Sequence, residues 1–251
     1  MDGKWIYGIN PVTEALRARI KPDTVFVLGA GKTDRIRDLV ELARLNGCQV
    51  KTVEKVFFGR FGAVLHQGVC AILRQQRQEF EDVGDVLLRV SLQKEPALFV
   101  ILDSITDPGN VGAILRSCEA TGVSAVVFQS HRSAGITPTV VKTSSGASQY
   151  IPLCVVPNIK HAMKTLTDNN VLIFGADSQA DTSIWDVDLS GPVAFVLGSE
   201  GEGLRRTVKE YCDHLVKIPL YGKIDSLNVS VAAGVLLFEC KRQRHVRHKK
   251  S

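Results

Sequence analysis

Five short apolar runs, Leu98–Leu102, Ala125–Phe128, Val171–Phe174, Val193–Leu197 and Leu215–Ile218, constrain the fold of this chain more than any other feature. They are rich in Val, Ile, Leu and Phe and do not alternate with polar residues, the pattern of strands buried on both faces. Between them lie stretches of helical length, notably Val111–Thr121 closed by Gly122, Ile159–Asn169 and Val229–Lys241. Strands alternating with helices in this way predict an α/β domain built on a parallel sheet covered on both faces.

The first 74 residues predict a smaller α/β unit. Trp5–Gly8, Thr24–Leu28, Gln49–Val53 and Gly68–Leu73 read as strands, and Asp34–Leu45 as a helix ending at Asn46-Gly47. Pro11–Ile20 reads as a helix with Asn10 as its cap and Pro11 in the first helical position. Residues 75–95 are polar and end at Pro96, which predicts a linker with a short helix around Asp85–Leu92. The expected organisation is thus a small unit at 1–74, a linker at 75–95, a larger domain at 96–242 and a basic tail at 243–251.

Composition narrows the possible functions. No apolar run is long enough to cross a membrane, and Met1-Asp2-Gly3-Lys4-Trp5 lacks the charged-then-apolar pattern of a secretory leader. The six cysteines are scattered with no C-x-x-C pair, which predicts free thiols in a reducing compartment and no zinc site. A cytoplasmic, metal-free protein is the expectation. Charge is unevenly placed: 12 Lys and Arg face 7 Asp and Glu in residues 1–74, 13 face 19 in 75–240, and six face none in 241–251. Basic ends around an acidic middle suit a protein that grips a polyanion with parts outside its central domain.

Three loops at the carboxyl ends of strands have the composition of a ligand site. The first, Asp103-Ser104-Ile105-Thr106-Asp107-Pro108-Gly109-Asn110, leads into a helix carrying Arg116 beside the small residues Gly112, Ala113 and Ala120. The second, Gly198-Ser199-Glu200-Gly201-Glu202-Gly203, permits close backbone approach and positive φ, but its spacing is not that of a dinucleotide-binding turn. The third runs from Ile218 to Asn228, where Ser226 and Asn228 bracket the expected start of a helix of unusually small residues. Together they offer an Arg, a Glu, two Asn and a Ser, without a metal cluster, a serine triad or paired catalytic carboxylates.

Asn110 and Arg116 within Asp107-Pro108-Gly109-Asn110-Val111-Gly112-Ala113-Ile114-Leu115-Arg116, the glycine loop at 198–203, and Ile218-Pro219-Leu220 with Ser226-Leu227-Asn228-Val229-Ser230 resemble three signature motifs. These are the motifs of the SpoU/TrmH branch of the SPOUT RNA methyltransferases, present here in order over about 140 residues. The front end, Tyr7-Gly8-Ile9-Asn10-Pro11-Val12 with His66-Gln67-Gly68-Val69, is similar to the subgroup that methylates a guanosine ribose in 23S ribosomal RNA. The resemblance implies a C-terminal parallel-sheet domain tied in a trefoil knot, joined to an N-terminal RNA-binding domain. It implies transfer of the S-adenosylmethionine methyl to a 2′-OH, a homodimer, and a single-stranded or loop region of ribosomal RNA as substrate. Around the cofactor it places Leu197, Gly198, Ile218, Leu220 and Leu227. It makes Arg116, Asn110, Glu200, Ser226 and Asn228 the catalytic set, with Arg116 assisting deprotonation. Two rival readings are a tRNA ribose methyltransferase of the same family and a non-catalytic RNA-binding or ribosome-assembly protein.

Overall fold

The computed structural model describes residues 3–17, 22–29, 33–59, 61, 66–74, 80–93, 95–131 and 133–248. The chain divides into two compact units, 1–77 and 78–251.

The first unit runs β1 (Gly3–Tyr7), α1 (Ile9–Arg17), β2 (Thr24–Leu28), α2 (Asp34–Leu45), β3 (Gln49–Val53), α3 (Lys55–Gly59) and β4 (Val69–Arg74). Its sheet has the order β1-β4-β2-β3, with β2 and β3 parallel and the other pairs antiparallel. Period-2 alternation gives the sheet two apolar faces. Val25, Val27, Val69 and Ala71 pack under Val12 and Leu16 of α1 and Ile36, Leu39 and Ala43 of α2. The opposite face carries Phe26 and Cys70 with Trp5, Tyr7, Phe57, Phe58 and Phe61, an aromatic second core. Helix α1 begins at Ile9, before the expected Asn10 cap. Gly8, at φ +94°, turns the chain and its carbonyl accepts from Val12 N–H, while Gln67 Oε1 accepts from Ile9 N–H at 3.1 Å. That cap comes from 58 residues away and leaves no local signal. The expected end of this helix at Ile20 lies outside the described residues.

The second unit runs α4 (Val83–Ser91), β5 (Leu98–Leu102), α5 (Pro108–Ala120), β6 (Ala125–Gln129), α6 (Pro138–Thr143), β7 (Leu153–Val156), α7 (Ile159–Asp168), β8 (Leu172–Ala176), β9 (Thr182–Ser183), β10 (Val193–Leu197), α8 (Arg206–Lys209), β11 (His214–Lys217) and α9 (Val229–His248). All seven strands are parallel, in the order β7-β6-β5-β10-β8-β11-β9. Alternate residues of each central strand enter opposite cores. Leu98, Val100 and Leu102 meet α5 and α9, while Phe99 and Ile101 meet α4 and α7. Full burial of Phe99, Phe174 and Phe195 stabilises the sheet by about 1.5–3 kcal/mol each.

Two boundaries differ from the expectation. Helix α4 falls within the expected linker, yet it packs into the second unit, because Val83, Val86 and Val90 form one apolar stripe against the α7 side of the sheet. Asp82 caps it by accepting from Gly84 N–H at 2.7 Å. The basic tail is likewise helical over 243–248, since α9 continues to His248. Gln243 bridges Leu189 N–H and Val187 carbonyl. Arg244 is 5% exposed and donates to the carbonyls of Leu189, Pro96, Ala97 and Gly191. A guanidinium with donors fanned in one plane can close four backbone acceptors at once.

Candidate active site

The carboxyl ends of β8, β10 and β11, with the first turn of α9, surround a cavity of about 400 Å³, a size within the usual ~300–1,000 Å³ of small-ligand sites. Leu197, Gly198, Ile218, Leu220 and Leu227 all line it, as do Glu200, Ser226 and Asn228.

Its glycine wall is shaped by backbone contact. Ser199 and Gly203 exchange N–H···O bonds of 3.1 and 3.0 Å across the loop, which Gly201 and Gly203 close at φ +85° and +68°. A Cβ on Gly198 would lie 2.2 Å from the Gly203 carbonyl carbon, so no side chain fits there. At Gly234 in α9, by contrast, an added Cβ meets only Ser117 Oγ, at 3.8 Å. Close backbone crossing at this site therefore depends on Gly198 and not on Gly234.

Asn228 joins the three loops. Its Oδ1 accepts from Ser230 N–H at 2.9 Å, making it the N-cap of α9, so the helix starts after both Ser226 and Asn228 rather than between them. Its Nδ2 donates to Asn110 Oδ1 at 3.0 Å and to Glu200 Oε1 at 2.5 Å. Asn110 sits in the first turn of α5, where its own N–H is held by the capping Asp107 at 2.7 Å. The amino ends of two helices thus converge on one hydrogen-bonded cluster at the cavity mouth, and their dipoles favour negative charge there. Arg116 is not part of this cluster. It is exposed on α5, six residues beyond Asn110, which places it roughly 9 Å further along the axis and on another side of the helix.

Several residues that the sequence reading passed over shape the site. Asp103 is fully buried just beyond β5 and accepts from Arg205 Nε at 2.6 Å and from Arg205 N–H at 2.9 Å. Arg205 also donates to Gln129 Oε1 at 3.1 Å, tying the exit of the glycine loop to β5 and β6. Asp177, just beyond β8, lines the cavity and pairs with Lys209. Burial raises its carboxyl, but the hydrogen bonds from Lys209 and Gln179 N–H and the Lys209 charge outweigh this and hold it below the ordinary value. An acidic residue directly after an apolar strand was the signal available for both Asp103 and Asp177. Lys217 adds a cation to the cavity wall. Among the described residues, no group of three or more His, Cys, Asp and Glu is placed to hold a metal.

Fold and site together define a class: an open-sheet α/β domain that holds a small ligand against backbone at the carboxyl ends of its strands, carried with a small mixed-sheet unit. Residues 97–238 match the SpoU rRNA Methylase family and residues 5–79 match the RNA 2'-O ribose methyltransferase substrate-binding family, and the chain belongs to the SpoU rRNA methylase family. A relative from Xylella fastidiosa named 23S rRNA (guanosine-2'-O-)-methyltransferase RlmB is 43% identical over 244 residues, covering 96% of this chain and 97% of its own. One of the same name from Xanthomonas campestris pv. campestris is 42% identical, covering 97% and 98%. Among solved structures, the SpoU methyltransferase AviRb from Streptomyces viridochromogenes superposes with a TM-score of 0.66 at 24% identity, over 97% of this chain and 90% of its own. It has also been solved with the cofactor AdoMet. A structure titled RNA 2'-O ribose methyltransferase matches at TM-score 0.62 and 26% identity, over 96% and 88%.

Proposed function

We propose that this chain methylates the ribose 2′-OH of a guanosine in 23S ribosomal RNA, using S-adenosylmethionine. The observation that carries the reading is the Asn110–Asn228–Glu200 cluster at the mouth of a backbone-walled cavity. The relatives named for this reaction align over almost the whole of both chains.

The cavity suits the cofactor. Leu197, Ile218, Leu220 and Leu227 offer apolar surface for a base, while the carboxylates of Asp177 and Glu200 suit ribose hydroxyls and a sulfonium charge. When bound, S-adenosylmethionine supplies an electrophilic methyl group. Glu200, fixed by Asn228, orients the bound groups, and the amides of Asn110 and Asn228 position the incoming ribose. Ser226, at the same mouth, completes the polar rim. Arg116 acts as a donor, holding the target phosphate and stabilising the developing alkoxide, because a guanidinium is a poor proton acceptor; a phosphate oxygen or water takes the 2′-OH proton as the methyl leaves the sulfonium.

A homodimer reconciles this role with the placement of Arg116 away from its own cavity. Val231, Phe238 and Val246 are 52%, 56% and 40% exposed along one side of α9, which packs beside α5. An apolar stripe of this kind marks a contact surface. We infer that in such a pair Arg116 of one copy serves the site of the other. The strand order supports the knotted topology of the family: β10 lies between β5 and β8, and β11 between β8 and β9. The basic first unit suits RNA, and a ribosomal RNA substrate supports a cytoplasmic location.

The test is transfer of labelled methyl from S-adenosylmethionine to total RNA, followed by mapping of the modified ribose. Label on one guanosine of 23S rRNA is the expected result; label on tRNA supports the rival substrate, and no transfer supports the binding protein.

A further inference from the structure

The loop between β11 and α9 contains side chains that the proposed chemistry does not use. Residues 221–226 are all exposed; Tyr221 is 92% and Ile224 68% exposed. An aromatic ring and a branched aliphatic chain left in water forgo the burial that normally makes them stabilising. The loop is not remote, since it contributes Leu220, Ser226 and Leu227 to the cavity wall. Tyr221 directly follows Leu220, so its backbone is fixed at the cavity rim. Lys223 lies between the two apolar residues, and Lys217 lines the cavity just ahead of the loop.

We propose that Tyr221, with Ile224 and Lys223 beside it, is a stacking shelf for an unpaired RNA base next to the ribose being methylated. This rests on the reading of the chain as an RNA 2′-O-methyltransferase. To bring one 2′-OH to the cavity mouth, its nucleotide must leave the helical stack, and its bases then need new partners. An exposed ring at the rim supplies one whatever the base, and the Lys223 ammonium meets the neighbouring phosphate. The cluster of Asn110, Glu200 and Asn228 acts on the ribose, whereas the shelf acts on the base. Its loss therefore weakens RNA binding without disturbing cofactor affinity. A second copy of the chain is the competing occupant, but Gly222, Lys223 and Asp225 interrupt the apolar surface here.

Full-length Tyr221→Ala and Tyr221→Phe proteins test the shelf. Methyl transfer to a 23S rRNA transcript is measured at varied RNA concentration, with calorimetric S-adenosylmethionine binding and light scattering on the same samples. Y221A is expected to raise KM for RNA about 10- to 100-fold, with kcat and cofactor Kd within about twofold, while Y221F stays within about threefold of the parent. An unchanged KM in Y221A overturns the proposal. So does a raised KM that comes with an equal loss of cofactor affinity or a change in oligomeric mass, since the ring then serves the cavity or a subunit contact. Failure of the unsubstituted protein to methylate any RNA overturns the underlying reading, and the shelf with it.

Discussion

Asp103 holds Arg205 by two hydrogen bonds, 2.6 Å from Nε and 2.9 Å from the backbone N–H, from a position with no solvent exposure. The pair spans 102 residues of sequence and fixes the exit of the glycine loop to the end of β5. Asp103→Ala is expected to cost about 2–4 kcal/mol in urea unfolding, below the ~3–5 kcal/mol of a fully buried broken pair because the Arg205 side chain keeps 30% exposure. Released at its exit, the glycine loop also binds S-adenosylmethionine more weakly, which calorimetry reads directly.

Asn228 performs two tasks that substitution separates. Asn228→Asp keeps an oxygen to cap α9 but replaces the donor to Asn110 and Glu200 with an acceptor beside the Glu200 carboxylate. Unfolding stability within about 1 kcal/mol of the parent is expected, with methyl transfer reduced at least about 100-fold. Asn228→Ala removes both, adding a stability loss of about 1–2 kcal/mol. Urea midpoints and single-turnover rates on both variants check the separation.

The depressed carboxyl of Asp177 makes stability depend on pH in a defined sense. Its folded pKa lies below its unfolded value of 3.8, so the contribution is present above that pH and lost as pH falls through the folded value. Asp177→Asn is therefore less stable than the parent at pH 7, and the difference narrows as pH falls below 3.8 toward the lower folded value. Urea titrations of both proteins from pH 7 to pH 2.5 follow it.

Arg244 closes four backbone carbonyls at the end of the sheet opposite the cavity. Arg244→Ala is expected to cost about 3 kcal/mol, and Arg244→Lys about half of that, since one ammonium cannot span all four acceptors. Cofactor affinity at 25 °C stays near that of the parent, because the cavity is at the other end of the strands.

Burial raises the thiols of Cys154 and Cys212 to about 12, with nearby acidic groups adding to the rise. Thiolate is the reactive form, so neither alkylates readily at pH 8. Mass spectrometry after iodoacetamide treatment is expected to find both unmodified in native protein and modified in urea.

Strand and helix patterns were legible wherever one local period governed them. Thr24–Leu28, Asp34–Leu45, Gln49–Val53 and Val193–Leu197 were read to the residue, because each is a clean apolar or amphipathic run between turn residues. Leu153–Val156 was missed as a four-residue run between prolines, and Pro138–Thr143 despite its Thr137 cap and leading proline. The three loops of the site were visible because glycine and capping residues follow apolar strands. What joins them was not: the partners of Asp103, Arg244 and the Ile9 N–H lie 53 to 148 residues away, and only the tertiary fold brings them together. Arg116 shows the reverse, a residue whose motif predicts proximity to the cavity while its turn of helix directs it elsewhere.

The insertion of β10 between β5 and β8 imposes a schedule on synthesis. When β5 leaves the ribosome, its eventual neighbour is still about 90 residues from being made, an interval of roughly 5–20 s at ordinary elongation rates. For that time the edge of β5 is open to other chains, and the edge of β8 joins it only for the last part of the interval. The cavity walls come from residues 176–232, and the part after Leu197 is made later still. A nascent chain thus acquires its site only after its scaffold has waited with an unfilled slot, and conditions that slow the final third of translation lengthen its exposure to aggregation.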